Sequence, residues 1–247
     1  MQYTDINSAA IDQWVDAGWE WGIPIDHDTF LQAGQGKWSV LLTPTKPVPR
    51  AWFPELHGLR ILGLASGGGQ QMPVFTAAGA VCTVLDYSRR QLDREREVAA
   101  REGYSINCIR ADMTKPLPFP DESFDLIFHP VSNCYIADVR PVWQECFRIL
   151  RKGGRLLCGL DNSIAYAFDE NGKPENRLPY NPMENPQIYS KSLEEDGSVQ
   201  FSHSIEEQIG GQLDAGFTLR GIYEDTNACG VFSKFNIPLY YATCAVK

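Results

Sequence analysis

The chain has 247 residues, of which 43% are hydrophobic and 21% charged, and its formal net charge is −9. This length suits one α/β domain with a sizeable core and an added covering segment. The acidic balance disfavours a large nucleic-acid-binding surface. No apolar run approaches the ~18–20 residues of a membrane span, so we expect no membrane partner.

The seven cysteines are scattered, and none forms a C-x-x-C pair. This usage is typical of reduced, buried thiols in a cytoplasmic protein. The N-terminus also lacks the charged and apolar segments of a secretory signal. Asp26, His27 and Asp28 are adjacent but have no second ligand cluster to join, so we expect no metal site.

The chain is organised around residues 60–71, where an apolar run gives way to small residues and three consecutive glycines. Pro73 then stands in what would be the first turn of a helix, where a missing N–H costs nothing. Glycine permits positive φ and lets a ligand approach the backbone. A helix N-terminus presents free N–H groups to an anionic group. The stretch therefore predicts a strand, an anion-binding loop and a helix.

Three further apolar runs follow at regular intervals, and each predicts a strand. Residues 81–86 end at Asp86, residues 106–112 at Asp112, and residues 124–129 at His129. Ligands of open α/β sheets bind at the carboxyl ends of the strands. We therefore expect the glycine loop, Asp86 and Asp112 to line one crevice. The first acid suits two ribose hydroxyls, and the second suits an adenine amino group.

Residues 57–160 resemble the core of class I S-adenosylmethionine-dependent methyltransferases, in the ubiquinone- and menaquinone-biosynthesis-like superfamily and a bacterial subgroup of it. Residues 61–69 match the first motif of the family, 84–88 the second, and 111–113 the third. Residues 116–127 resemble the entry to the fourth strand, and 150–156 match the turn into the fifth. The family usually has an acid at Gly63 and a glycine at Ala65. That acid positions the methionine amino group, so another carboxylate or a backbone carbonyl would have to substitute.

The resemblance implies a Rossmann-like, doubly wound α/β fold with seven strands, mostly parallel, of which the last is antiparallel. It implies S-adenosylmethionine as the cofactor and S-adenosylhomocysteine as the product. The cofactor-binding residues that it implies are Gly63, Ala65, Ser66, Gly67, Gly68, Gln70, Asp86, Tyr87, Ser88, Gln91, Asp112, Met113 and His129.

Two segments lie outside the motifs. Residues 1–50 are predicted as a lid on a methyltransferase domain at 51–247, and they hold Trp14, Trp19, Trp21 and Trp38. These tryptophans either wall the acceptor site or simply pack on the sheet, and the two interpretations are compatible. The polar, proline-rich residues 161–203 are expected to shape the acceptor pocket.

Two helix starts are also predicted. Asn7 or Ser8 is expected to cap a first helix in the lid. Ser88 and Gln91 have the spacing of a capping box, which predicts a helix that begins there. Its charged residues 94–97 are expected to face solvent.

The chemistry of the family is an in-line SN2 transfer of a sulfonium methyl group to an O, N, C or S atom. The acidic balance, the aromatic lid and the polar insertion favour a small-molecule acceptor over RNA or protein. A general base is needed only if the acceptor is protonated. The candidates are His129 and His203, with Asp138 or Tyr135 behind them as further catalytic residues. The sequence leaves the acceptor, the methylated atom and the oligomeric state open.

Two other functions remain as alternatives. One is a non-catalytic protein that binds S-adenosylmethionine. The other is a short-chain NAD(P)-dependent oxidoreductase, whose glycine pattern fits nominally. That class needs a Tyr-x-x-x-Lys pair, and none of the ten tyrosines has a lysine four residues on.

Overall fold

A seven-stranded sheet with helices on both faces forms the centre of the protein. The computed structural model describes residues 2–169 and 171–247. The strands are β1 (Arg60–Leu64), β2 (Val81–Asp86), β3 (Asn107–Arg110), β4 (Phe124–His129), β5 (Leu150–Asp161), β6 (Thr218–Asp225) and β7 (Tyr240–Val246). Their order in the sheet is β3-β2-β1-β4-β5-β7-β6. Neighbours from β3 to β5 are parallel, whereas β7 is antiparallel to both β5 and β6. The predicted fold class is therefore confirmed.

The helices cover the two faces of the sheet and the edge at which the parallel strands end. They are α1 (Tyr3–Asp16), α2 (His27–Gly34), α3 (Met72–Ala77), α4 (Arg89–Glu102), α5 (Arg140–Ile149), α6 (Ile164–Ala167), α7 (Pro186–Glu195), α8 (Gly211–Asp214) and α9 (Val231–Lys234). A π-helical turn, Glu206–Gly210, leads into α8. Among the described residues, we find no helix whose length and apolar content would let it cross a membrane.

The alternation of side chains along the central strands builds two apolar layers. Leu62 and Leu64 of β1 pack on one face with Trp143 of α5. Ile61 packs on the other face with Phe75 of α3 and Phe128 of β4. Successive strand residues point to opposite faces, so burial on both sides gives a continuous apolar run. This is the pattern that predicted these strands.

The start of α4 agrees with the prediction, but its capping box is not closed. Ser88 Oγ accepts the N–H of Gln91 at 3.1 Å, as an N-cap side chain does. The N–H of Ser88 donates instead to Asp86 Oδ1, at 2.9 Å. The side-chain amide of Gln91 is thereby free to bond Trp21 O, at 3.2 Å. This residue joins the helix to the N-terminal segment.

The first helix begins earlier than predicted. It is capped by Gln2 and Asp5 rather than by Asn7 or Ser8. Asn7 and Ser8 are buried inside the helix, where their side chains bond other segments of the chain. Polar residues of this type favour caps when no tertiary partner exists, and here tertiary partners override that preference.

Candidate active site

One cavity, of about 440 Å³, lies at the carboxyl ends of the parallel strands. Its floor comes from the loops after β1, β2, β3 and β4 and from the end of β5. The N-terminal segment contributes further lining residues, which are Thr4, Asn7, Ser8, Ile11, Trp19, Trp21, Leu41, Leu42, Thr43 and Pro44. The volume is in the range of small-molecule and cofactor sites.

The glycine loop is packed closely against the residues that follow β2. The N–H of Gly67 donates to Asp86 Oδ2 at 3.0 Å. A Cβ on Gly67 would lie only 2.5 Å from Gln91 Cβ, so the loop can take this position only with glycine. Asp86 is 9% exposed and lines the cavity. Burial raises its pKa to about 6, although the N–H donors of Ser88 and Gly67 favour the charged form.

A second carboxyl group, that of Glu95, also accepts a backbone N–H of the glycine loop. Glu95 Oε1 accepts the N–H of Gly69 at 2.9 Å, and the residue is fully buried. Burial raises its pKa to about 8. The prediction that residues 94–97 all face solvent is therefore wrong at Glu95, because it lies on the buried face of α4 with Leu92 and Val98.

The two departures from the family pattern have local explanations. Gly63 is buried between β2 and β4, and a Cβ there would lie 2.8 Å from Met72 Sδ. The Met72 side chain thus fills the space that an acidic side chain at position 63 would need. Ala65 has a φ of 47°, the left-handed conformation that glycine adopts without strain. The family glycine at this position therefore reflects a backbone requirement that this chain meets with alanine.

Helix α1 is bonded to the residues that follow β2. Ser8 Oγ donates to Tyr87 O at 2.8 Å, and Tyr87 Oη donates to Asp5 Oδ1 at 2.7 Å. Ser88 Oγ donates to Asp12 Oδ1 at 2.5 Å. These bonds fix the helix over one side of the cavity.

The tryptophans of the N-terminal segment divide between the two roles considered for them. Trp19 and Trp21 line the cavity. Trp38 packs edge-on against Phe53 and Phe75, in the apolar layer beneath the sheet. Both cavity lining and core packing therefore occur within this segment.

Most of the predicted cofactor-binding residues come together around the cavity. Its lining includes Ala65, Ser66, Gly67, Gln70, Asp86, Tyr87, Ser88, Gln91, Asp112 and Met113. The structure does not bring Gly63, Gly68 or His129 into this lining. Gly63 lies within β1, and Gly68 packs against the backbone oxygen of Trp21.

The predicted catalytic residues His129, Tyr135 and His203 have different surroundings. Tyr135 lines the cavity, and burial raises the pKa of its phenol far above the usual value. His203 is buried, with Nε2 3.0 Å from Asn133 O and 2.9 Å from Ile136 O. His129 is fully buried, and its two ring nitrogens lie 2.8 Å from Leu64 O and from Asn133 Oδ1. Burial lowers the pKa of His129. Both histidines are thus held behind the cavity wall.

Sequence reasoning missed Asp161, which ends β5 and lines the cavity at 4% exposure. Burial raises its pKa to about 6. The signal that located Asp86, an acid at the end of an apolar strand, is also present here. The predicted methyltransferase core ended at residue 160, so Asp161 was assigned to the insertion at 161–203.

Comparison with known proteins identifies the family. A family model described as a methyltransferase domain matches residues 62–158. The uncharacterized methyltransferase YbaJ of Bacillus subtilis is 43% identical over 249 aligned positions, which cover 98% of this chain and 97% of that protein. A demethylmenaquinone methyltransferase of Clavibacter sepedonicus is 32% identical, over 53% of this chain and 50% of its own length.

The fold is also found among solved structures. An S-adenosylmethionine-dependent methyltransferase from Mesorhizobium loti superposes with a TM-score of 0.64 and 23% identity. The match covers 80% of this chain and 95% of that one. At this identity the likeness concerns the fold alone.

Proposed function

Because this chain belongs to the class I S-adenosylmethionine-dependent methyltransferases, we propose that its cavity binds S-adenosylmethionine with the ribose at Asp86 and the adenine at Asp112. The observation that carries this assignment is the setting of Asp86. Each of its carboxylate oxygens accepts one backbone N–H, so further lone pairs remain for two hydroxyl donors. The cavity residues therefore fit the cofactor.

Other lining residues supply the remaining contacts of the proposed site. The backbone of residues 65–67 approaches the cavity without large side chains. Met113 gives an apolar surface beside Asp112. When bound, the cofactor supplies an electrophilic methyl group on a sulfonium. The chain then has to orient the acceptor and exclude water.

We further propose that the acceptor is a small molecule. Residues from the N-terminal segment cover the cavity, and its lining contains no Lys, Arg or His among the described residues. A phosphate-rich acceptor would meet no cationic side chain there. The relative from Clavibacter sepedonicus is named for a small molecule, demethylmenaquinone, which supports the same acceptor class.

The proposed division of the chain follows from this arrangement. Residues 1–50 act as the lid and 51–247 as the methyltransferase domain, with 161–203 on the acceptor side. Gln70 supports the lid assignment, since its side-chain amide donates to Glu20 O at 2.8 Å and to Ile23 O at 3.0 Å. Tyr166 and Gln200, from the insertion, contribute to the cavity lining.

The acceptor class can be tested with methyl-labelled S-adenosylmethionine. The purified protein is incubated with separate RNA, protein and small-molecule fractions of a bacterial extract. We expect label in the small-molecule fraction, above the level in a control incubation of the protein without any fraction. Label confined to RNA or protein would contradict the proposed acceptor class.

A further inference from the structure

Asp161 holds an unsatisfied carboxylate oxygen at the side of the cavity opposite the proposed adenine site. The sheet order places β5 three strands from β2 and four from β3, on the far side of β1 and β4. Asp161 Oδ1 accepts the side-chain N–H of Gln208 at 3.3 Å. Within residues 2–169 and 171–247, Oδ2 is buried and has no hydrogen-bond partner. Leaving such an atom unpaired is costly, which favours a ligand that donates to it.

A buried chain of side chains leads from Asp161 to His129. Asn133 Nδ2 lies 2.9 Å from Gln208 Oε1, and Asn133 Oδ1 lies 2.8 Å from His129 Nε2. The other nitrogen of His129 faces Leu64 O. His129, Asn133 and Gln208 are all fully buried.

This hydrogen-bonded network from Asp161 to His129 can hold one shared proton in two ways. With the amides as described, Asp161 is ionised and His129 donates from both nitrogens. His129 is then charged, which its hydrogen bonds to Leu64 O and Asn133 favour and its burial opposes. If both amides are reversed, His129 is neutral and Asp161 must donate its own proton to Gln208. Amide orientation is assigned from hydrogen bonding, and both arrangements leave every bond in the chain intact. The network can therefore stabilise either protonation state of Asp161.

The walls beside Asp161 select the kind of molecule that can reach it. Tyr135, Tyr166 and Tyr240 line the cavity and lie near Asp161. As no cationic side chain appears in the described lining, a negatively charged acceptor would face Asp161 uncompensated. A neutral aromatic molecule with a hydroxyl donor suits both the walls and the carboxylate.

Building on the proposed function, we propose that Asp161 binds the hydroxyl of a neutral, phenol-like acceptor and takes its proton during methylation. A phenol is a poor nucleophile until its proton is removed, so this acceptor class needs a base. The acceptor oxygen forms a bond to the methyl carbon as the carbon–sulfur bond breaks. The electron pair of the broken bond stays on sulfur, and the hydroxyl proton passes to Asp161 Oδ2.

The proposal can be tested by binding, without turnover. Naphthol and its methyl ether, which lacks the donor, are titrated into the protein saturated with S-adenosylhomocysteine and followed by naphthalene fluorescence. We expect the wild type to prefer naphthol, and Asp161→Asn to reduce that preference about tenfold or more. Asp121→Asn, which alters an exposed surface carboxylate, serves as the matched control and should keep the preference.

The outcomes distinguish a failure of the role proposed for Asp161 from a failure of the proposed cofactor site. An unchanged preference in Asp161→Asn, or no naphthol binding by the wild type, would overturn the role of Asp161. Loss of S-adenosylhomocysteine affinity in a folded Asp161→Asn would assign the carboxylate to the cofactor and also overturn it. Failure of the wild type to bind S-adenosylhomocysteine would contradict the proposed function instead.

The role of Gln208 as a positioning residue has its own readout. Among the described residues, the titratable groups near Asp161 are His203, Cys134, Cys158, Tyr135, Tyr166, Tyr240 and Tyr241. Burial raises the pKa of both cysteines and of these tyrosines, which keeps them neutral near pH 7. Gln208→Met removes an N–H donor that stabilises the ionised carboxylate, so the pKa of Asp161 should rise. The pH midpoint at which the preference for naphthol appears should therefore shift upward. An unshifted midpoint in a folded variant would overturn the proton-sharing chain.

Discussion

Asn7 and Val199 exchange two hydrogen bonds although 192 positions separate them in the sequence. Asn7 Nδ2 donates to Val199 O at 2.8 Å, and the N–H of Val199 donates to Asn7 Oδ1 at 2.7 Å. The same amide donates to Tyr135 O at 2.9 Å. One buried side chain thus joins the proposed lid, the insertion and the loop after β4.

We expect Asn7→Ala to loosen the cover of the cavity. The change leaves buried backbone groups of Val199 and Tyr135 unpaired, at a cost of about 1–3 kcal/mol in the free energy of unfolding. Urea denaturation would measure this loss, and hydrogen exchange should show faster exchange in Tyr3–Asp16. Gln13→Ala, at an exposed site of the same helix, is the control. Equal stability and exchange in the two variants would contradict the proposed role of Asn7.

The raised pKa of Asp86 predicts a pH dependence of cofactor binding. Hydroxyl groups bind best to the ionised carboxylate, and burial raises its pKa to about 6, with Asp12 adding to the effect. Affinity for S-adenosylmethionine should therefore fall as the pH drops through this value. We expect a loss of about tenfold from about pH 7 to about pH 5.

Asp86→Asn provides the control for this titration, because its amide does not ionise. Calorimetry should give weaker binding by the variant at pH 7 and a flatter pH profile. The same steep profile in both proteins would assign the dependence to another group.

Glu95 predicts a pH dependence of stability. Its pKa rises from 4.5 in the unfolded chain to about 8 in the folded protein. The folded state then binds more protons between these values, so the contribution of Glu95 is present at low pH and is lost as the pH rises to about 8. In Glu95→Gln, the fall in unfolding free energy from about pH 5 to about pH 9 should be smaller by roughly 2–4 kcal/mol.

Urea denaturation at the two pH values measures that difference. Glu97→Gln is the matched control, since Glu97 lies on the exposed face of the same helix. If Glu95→Gln keeps the wild-type pH dependence, the carboxyl group is not buried in its neutral form.

Ala65→Gly should stabilise the protein. Alanine carries a cost of about 1–2 kcal/mol in the left-handed region, which glycine avoids. The greater freedom of glycine in the unfolded chain offsets part of this gain. We expect a net increase of about 0.5–1 kcal/mol in the unfolding free energy. Ala100→Gly, at an exposed site within α4, should instead destabilise by about 1 kcal/mol. Destabilisation of similar size in both variants would show that Ala65 is unstrained.

The sequence was most informative where local pattern and ligand chemistry coincide. The strand that ends at Asp86 could be predicted because an apolar run, an acid and the capping residue Ser88 follow one another. Glu95 could not be separated from its charged neighbours by composition, and only its spacing from Leu92 and Val98 signals burial. Asn7 gave no local signal of its role, since its partners come from distant segments.

His129 is a second residue whose hydrogen-bonded network reaches distant segments. Its position at the end of β4 was predicted, whereas its bond to Asn133 and the continuation to Gln208 depend on packing between β4 and the turn before α8. Long-range contacts of this kind decide whether a polar side chain faces the cavity or the interior. Sequence spacing alone does not contain them.

Calorimetric titration of the wild type and Asp86→Ala tests most directly whether the cavity at Asp86 binds S-adenosylmethionine. Asp93→Ala, at an exposed carboxylate of α4, controls for a general loss of charge. We predict micromolar binding of S-adenosylmethionine and S-adenosylhomocysteine by the wild type and Asp93→Ala. Asp86→Ala should bind about 1.5–3 kcal/mol more weakly. Equal affinity in a folded Asp86→Ala, or binding of NADH in place of both ligands, would contradict the account.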